Sequence, residues 1–291
     1  MSTPDRPPVP PTSPVTGATS VRTPRAGRDL PAAIVSGVVL GIAIVGSLVV
    51  WKPAFMVIVV AAVLVAVWEL GHAFASGEIH IARRPVMVGG AVVVLVAFLY
   101  GSPALVTATA VTALATMLWR LRGGVSGYVA DVTASVFTLV YVPFLGGFVA
   151  LLLAEDRGEL AIVTFILVTI ASDIGGYAVG VLVGKHPMAP VISPKKSWEG
   201  FAGSAVSCVV VGWLTVDLLL DGRWWVGVVL GLVSVVMATL GDLCESVVKR
   251  DLGIKDMSQI IPGHGGLMDR LDSLLATAAP AWLLLHYLVF S

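Results

Sequence analysis

The stretch Trp224–Val248 reads WWVGVVLGLVSVVMATLGDLCESVV, and it contains no charged residue before Asp242. A helix that crosses a bilayer needs roughly 20 predominantly apolar residues, and this run supplies them almost without interruption. The whole chain has a similar composition: 57% of its 291 residues are apolar and 12% are charged, whereas a typical soluble domain is about 25% charged. These values exclude an ordinary soluble enzyme and a disordered polyelectrolyte, and they predict an integral membrane protein.

Comparable apolar windows recur along the chain. They predict an all-α, polytopic helical bundle with about nine transmembrane helices, near residues 31–50, 53–76, 85–101, 103–119, 132–154, 160–183, 200–220, 224–248 and 273–290. The runs are continuous rather than alternating, which excludes an outer-membrane barrel. The third and fourth windows are short and are joined by Gly101, Ser102 and Pro103, so a re-entrant pair is an alternative there.

The first 29 residues differ sharply from the rest. Seven prolines stand among Ser, Thr and Arg, with no apolar period. Such a segment cannot bury enough surface to offset the entropy of ordering. We predict a disordered, Pro-rich tail over 1–29 and a transmembrane domain over 30–291, whose motif-bearing catalytic half covers about 130–291.

The placement of the basic residues predicts the orientation. With nine spans, all but three of the 18 Lys and Arg residues fall on one side; the exceptions are Lys52, Arg157 and Arg223. The positive-inside rule then places the N-terminus in the cytoplasm and the C-terminus outside a cell membrane. The formal net charge is zero, so overall basicity gives no case for a nucleic-acid partner.

Two polar stretches interrupt the apolar pattern in the C-terminal half. The first comprises SDIGGY at 172–177 and the loop GKHPMAPVISPKKSWEG at 184–200. Asp173 lies inside an apolar helix, where a carboxylate costs a few kcal/mol unless it is paired or faces a wet cavity, so it indicates a functional site. Lys195 and Lys196 in the loop are suited to phosphate, although a lysine-rich loop beside a membrane also contacts anionic headgroups.

The second polar stretch covers residues 241–272. Asp242, Glu245, Ser246 and Lys249 share one helix face, and the segment Pro262–Gly266 reads PGHGG, which favours close approach of backbone N–H groups to an anion. Carboxylates suit a divalent cation, and cations and N–H groups suit phosphates. This inventory predicts phosphoryl or nucleotidyl transfer.

The run Ser246–Asp272, SVVKRDLGIKDMSQIIPGHGGLMDRLD, resembles the signature of the phosphatidate cytidylyltransferases (CDP-diacylglycerol synthases). The SPKKSWEG and SDIGGY segments are also similar to this family, with Ser197 in place of a more usual Thr and Gly176 where Ala is common. The resemblance implies that CTP and phosphatidate react to give CDP-diacylglycerol and pyrophosphate for phospholipid biosynthesis.

The resemblance also implies roles for individual residues. Asp242 and Asp269 would bind Mg²⁺, with a second metal ion left open, and Lys196 and Asp173 would join them as catalytic residues. The remaining substrate-binding candidates are Ser193, Lys195, Lys249, Arg250, Lys255, Asp256, His264, Gly265, Gly266, Arg270 and Asp272. CTP, phosphatidate and membrane lipids are the implied partners, and a homodimer is implied as well.

Two other functions stay open at this stage. A CTP-dependent polyprenol or lipid kinase would use the same inventory but would release CDP. An ion-coupled secondary transporter would use Asp173 and the glycine-interrupted helices, although alternating access favours a site near the midplane of the membrane.

Overall fold

A computed structural model describes residues 30–258, 260 and 265–291, with side chains from residue 37 onward. The predicted disordered tail therefore lies outside the described residues. The chain within them is an α-helical bundle with one short hairpin. Its helices are α1 Leu30–Val50, α2 Lys52–Ser76, α3 Arg83–Tyr100, α4 Ser102–Arg120, α5 Tyr128–Leu139, α6 Leu145–Ala154, α7 Gly158–Val183, α8 Trp198–Leu220, α9 Trp224–Asp251 and α10 Met268–Leu285.

The prediction of an all-α membrane bundle is confirmed. Within the described part of the chain, eight helical segments are long and apolar enough to cross a bilayer, and α1 is a further apolar helix that precedes them. Helix α3 has 18 residues and the α4 segment Ser102–Gly123 has 22, so each has the length of a full span. The fifth span joins α5 to α6 through a π-helical turn at Val140–Phe144 that contains Pro143, whose missing N–H interrupts the regular ladder.

Small residues bring the backbones of α7 and α8 close together. A Cβ atom added to Gly175 would lie 2.2 Å from Ser207 Oγ, and one added to Gly176 would lie 2.4 Å from Ser204 Oγ. Because lipid provides little hydrophobic drive between helices, such close packing is a main source of their association. Gly175 and Gly176 therefore allow the close approach of α7 and α8.

The same device joins α8 to α9. A Cβ atom on Gly227 would lie 2.3 Å from the Gly212 carbonyl oxygen, and one on Gly231 would lie 2.5 Å from the Cys208 carbonyl oxygen. Helices α7, α8 and α9 therefore form one tightly packed layer. This layer carries Asp173 on α7 and Asp242 on α9. Its helix α8 begins at Trp198, two residues after Lys196.

The predicted loop at 184–200 is a short antiparallel hairpin rather than irregular chain. Strand β1 (Pro187–Ala189) pairs with β2 (Ser193–Ser197), with Ala189 opposite Ser193. Ser197 then caps α8, since its Oγ accepts a hydrogen bond from the Gly200 N–H at 3.1 Å. The polar residues of this stretch did not reveal the strands because its prolines favour a loop.

Hydrogen bonds join the helices at the end of the bundle that contains Lys52, residues 155–157 and residues 221–223. Glu155 Oε1 accepts from Trp282 Nε1 at 3.2 Å and contacts His286 Nδ1 at 2.8 Å. Arg157 donates to the carbonyl oxygens of Leu219 and Leu220 at the end of α8. The C-terminal parts of α8 and α10 are thus held to the turn between α6 and α7.

Replacement of Gly231 by Ala should destabilise the bundle by about 1–3 kcal/mol, because the new methyl group would collide with immovable backbone atoms of α8. The melting temperature of the purified protein should fall. The matched control is Gly41→Ala, since nothing lies within 4 Å of the Cβ position there and Ala is the better helix former. Equal melting temperatures for the two variants would contradict the close α8–α9 contact.

Candidate active site

A cavity of about 300 Å³ opens where α7, β2, α8 and α9 meet. We call this the site end of the bundle; it carries residues 77–82, 121–127, 184–197, 252–258 and 265–267. The polar and charged side chains that line the cavity come from four elements and from the first turns of α10, and they are Ser172, Asp173, Tyr177, Ser193, Lys195, Lys196, Ser197, Ser204, Thr239, Asp242 and Ser273. Three predicted catalytic residues, namely Asp173, Lys196 and Asp242, therefore share one cavity.

An ion pair spans this cavity. Lys196 Nζ lies 2.6 Å from Asp242 Oδ2, and 23% and 37% of the two side chains are exposed. The pair is thus accessible to a ligand while it remains close to low-dielectric surroundings, where charges interact more strongly than in water. Asp173 interacts electrostatically with Asp242, Lys196 and Arg270. Carboxylates and cations from separate segments of the sequence meet at one place.

A second charged cluster lies beside the first on α9 and α10. Lys249 Nζ lies 2.9 Å from Glu245 Oε2 and 2.7 Å from Asp269 Oδ1. The other Asp269 oxygen accepts from the backbone N–H groups of Met257 and Gly266 at 3.1 and 2.9 Å. Lys249 therefore joins the end of α9 to the start of α10, and Asp269 holds the chain segments that precede α10.

The polar face predicted for α9 is confirmed by two contacts one turn apart. Ser246 Oγ donates to Asp242 Oδ1 at 3.3 Å, and Lys249 reaches Glu245 in an i,i+4 pair. Asp272 is buried, and its Oδ1 accepts from the Ser273 N–H at 2.6 Å.

The structure distributes the other predicted residues unevenly. The side chains of Arg250, Lys255 and Asp256 are exposed and do not line the cavity. Gly265 has a φ of +88°, which suits glycine, and the Gly266 N–H is already donated to Asp269. His264 lies outside the described residues, so its proposed contact with phosphate stays a prediction.

Glu69 of α2 was missed by the sequence interpretation. Its side chain is fully buried, and it accepts hydrogen bonds from the Ser258 hydroxyl and from the N–H groups of Leu267 and Met268. The rule that singled out Asp173, a carboxylate inside an apolar window, applies equally to Glu69. What obscured Glu69 was its distance in sequence from every recognised motif.

The donor set around Asp242 fits a magnesium ion. Within the ranges that the structure describes, no three Asp, Glu, His or Cys side chains form a preassembled metal cage. Mg²⁺, however, usually takes one or two carboxylates and completes its shell with waters and substrate phosphates. Asp242 and Asp173, which line the same cavity, are two carboxylates of this kind. Mg²⁺ itself stays a prediction.

The fold and the site together define a polytopic membrane protein with a charged cavity at one end of its helical bundle. A model of the cytidylyltransferase family matches residues 31–288. The chain is 42% identical over 282 residues to a phosphatidate cytidylyltransferase of Mycobacterium bovis, covering 92% of each chain. A relative of that name from Mycobacterium leprae is 42% identical over 91% of this chain and 90% of its own, and one from Haemophilus influenzae is 38% identical over 51% and 54%.

The chain therefore belongs to the cytidylyltransferase family. This confirms the predicted resemblance and identifies the protein as a nucleotidyltransferase of the membrane.

Replacement of Lys249 by Met should destabilise the protein by about 3–5 kcal/mol, because it would leave Glu245 and Asp269 buried without their shared cation. The two carboxylates are 1% and 10% exposed. Thermal melting of the purified variant measures the loss. Arg250→Met is the matched control, since Arg250 is the exposed neighbour, and it should melt close to the unmodified protein. A stable Lys249→Met variant would show that the cluster does not depend on this cation.

Proposed function

We propose that the protein transfers the cytidylyl group of CTP to phosphatidate, giving CDP-diacylglycerol and pyrophosphate for phospholipid biosynthesis. The observation that carries the proposal is the Lys196–Asp242 pair in a cavity lined by Asp173 and Lys195, in a chain whose relatives along almost its whole length are named phosphatidate cytidylyltransferases. The lysine of this pair is suited to bind a phosphate, and the carboxylate is suited to bind a metal ion.

The chemistry asks mainly for positioning and charge neutralisation. A phosphatidate oxygen attacks the α-phosphorus of CTP in line, and pyrophosphate leaves. The attacking phosphate is already anionic near neutral pH, so no strong general base is needed. The barrier arises from bringing two polyanions together, and fixed cations and oriented donors lower it.

Lys196 is the residue best placed to engage a phosphate. Its Nζ is paired with Asp242, and an incoming phosphate would compete for the same ammonium group. Lys195, the more exposed neighbour, would bind outer phosphate oxygens, and Ser193 lies on the same strand within the cavity. Charge-assisted hydrogen bonds of this kind are about twice as strong as neutral ones.

Asp242 would hold Mg²⁺ together with substrate phosphates, with Asp173 beside it and Asp269 as the second family-implied ligand. When bound, the ion would supply positive charge that stabilises the triphosphate and the departing pyrophosphate. Lys249, Arg270 and Asp272 would support the site from the adjoining cluster. The apolar side chains of Met188 and Phe201 in the cavity wall would suit the acyl-chain end of the lipid.

The site end of the bundle is proposed to face the cytoplasm, with the N-terminus on the same side and the C-terminus outside. Three basic residues, Lys52, Arg157 and Arg223, lie at the opposite end of the bundle, where Glu155 and Asp221 also lie. All other Lys and Arg residues belong to the tail or to the side of the site end, and the positive-inside rule favours the cytoplasm for that side. Labelling of single introduced cysteines from either side of sealed vesicles tests this orientation. The homodimer stays a prediction, testable by cross-linking in the membrane.

The purified protein should convert radiolabelled CTP, phosphatidate and Mg²⁺ into labelled CDP-diacylglycerol with one pyrophosphate released per lipid. Both products should be read in the same reaction. Release of CDP together with a phosphorylated lipid would overturn the proposal in favour of a kinase. Flux of a solute across sealed vesicles without covalent change of lipid would favour a transporter.

Asp242→Asn should lower turnover at least ~100-fold, because a metal ligand and its charge would be lost. Lys196→Ala should chiefly raise the KM for CTP, by about tenfold, as expected for one charge-assisted contact. The matched control is Asp217→Asn, since Asp217 is exposed on α8 and does not line the cavity. Near-normal turnover of Asp242→Asn in protein that melts normally would remove the metal assignment.

A further inference from the structure

We infer that Glu69 is a positioning residue for the proposed transfer reaction: its carboxylate caps α10 from α2 and thereby fixes the backbone that orients Asp269. The inference rests on the proposed function for its catalytic consequence. Its structural part, the hold on α10, can be measured independently of activity.

The burial of Glu69 shows that its carboxylate serves the interior. None of its surface is exposed, and a carboxylate without partners in such a place would be strongly unfavourable. One oxygen accepts from the Ser258 hydroxyl and from the Leu267 N–H at 2.9 Å, and the other accepts from the Met268 N–H at 2.6 Å. All three donors come from sequence almost 200 residues away.

Helix α10 has no side-chain cap from its own flanking residue. Leu267 occupies the N-cap position, and its apolar side chain cannot accept a hydrogen bond. The first four N–H groups of a helix lack partners within it, and the positive end of the helix dipole favours an anion there. Glu69 meets both requirements from a different helix.

Glu69 and Asp269 hold the same short piece of backbone from two sides. Asp269 accepts from the N–H groups of Met257 and Gly266. Glu69 accepts from the residue that follows each of them, namely from the Ser258 hydroxyl and from the Leu267 N–H. A displacement of this backbone would therefore move the donors that set the Asp269 carboxylate. Asp269 in turn holds Lys249 at 2.7 Å.

The arrangement requires a carboxylate rather than an amide. Three donors converge on the two carboxylate oxygens. A glutamine would turn its NH₂ group toward at least one of these donors, and an amide NH₂ group cannot accept a hydrogen bond. The resulting repulsion and the lost hydrogen bonds should loosen the start of α10 while leaving the size and shape of the side chain nearly unchanged.

Hydrogen exchange of the full chain in detergent tests the structural part. Glu69→Gln should raise the exchange rates of the Gly266, Leu267 and Met268 amides at least ~tenfold. The matched control is Glu155→Gln, which alters a carboxylate that holds the opposite end of α10 through Trp282 and His286. The control should leave those three amides unchanged. Unchanged exchange in Glu69→Gln, or an equal rise in both variants, would overturn the inference.

Kinetics test the catalytic part. Glu69→Gln should raise the Mg²⁺ concentration for half-maximal activity and lower kcat about tenfold, with a smaller change in the KM for phosphatidate, whereas Glu155→Gln should lower thermal stability without shifting the Mg²⁺ dependence. Ser258→Ala removes one donor only and should give a smaller shift in the same direction, which carries the test if Glu69→Gln does not fold.

A Mg²⁺ dependence unaltered in both Glu69→Gln and Ser258→Ala would overturn the positioning role. An unmodified protein that makes no CDP-diacylglycerol would instead refute the proposed function, and the exchange result would still decide whether Glu69 holds α10.

Discussion

The site depends on the need to compensate each charge that the helical bundle encloses, either with an opposite charge or with hydrogen-bond donors. Lys249 between Glu245 and Asp269 shows this constraint most directly, because two carboxylates that are almost buried share one cation. Each pairing in such a medium demands good geometry before it repays the cost of desolvation. These ion pairs therefore hold α9 and α10 together. The same contacts also fix the position of Asp269, a candidate metal ligand.

The close packing of α7, α8 and α9 sets the scale on which these charges meet. Glycines such as Gly175 and Gly231 remove the side chains that would otherwise separate the helix backbones. With the backbones this near, the Asp173 carboxylate on α7, Lys196 on the strand before α8 and Asp242 on α9 reach one cavity. Larger residues at the seam would widen the layer, and the distances on which phosphate binding depends would change with it.

The sequence predicts the helices well, and it also groups Asp173, Lys196 and Asp242, which the structure brings to one cavity. Uninterrupted apolar runs locate spans to within a few residues, as at Trp224–Asp251, because the bilayer imposes one length and one composition on all of them. The hairpin β1–β2 and the π-turn at Val140–Phe144 could not be located in this way, since both depend on packing against neighbours. The sequence also did not show that Arg250 and Lys255 lie away from the cavity, because periodicity does not specify the directions of their side chains.

Glu69 shows why part of a site escapes motif analysis. Hydropathy places it in a span, and nothing beside it in sequence suggests a partner, because its partners, Leu267 and Met268, are backbone groups that any residue could supply. Only the three-dimensional arrangement reveals that α10 begins without a cap of its own. The N-terminal half, which carries no recognised motif, thus contributes through α2 a negative charge at the start of α10, and this charge positions Asp269.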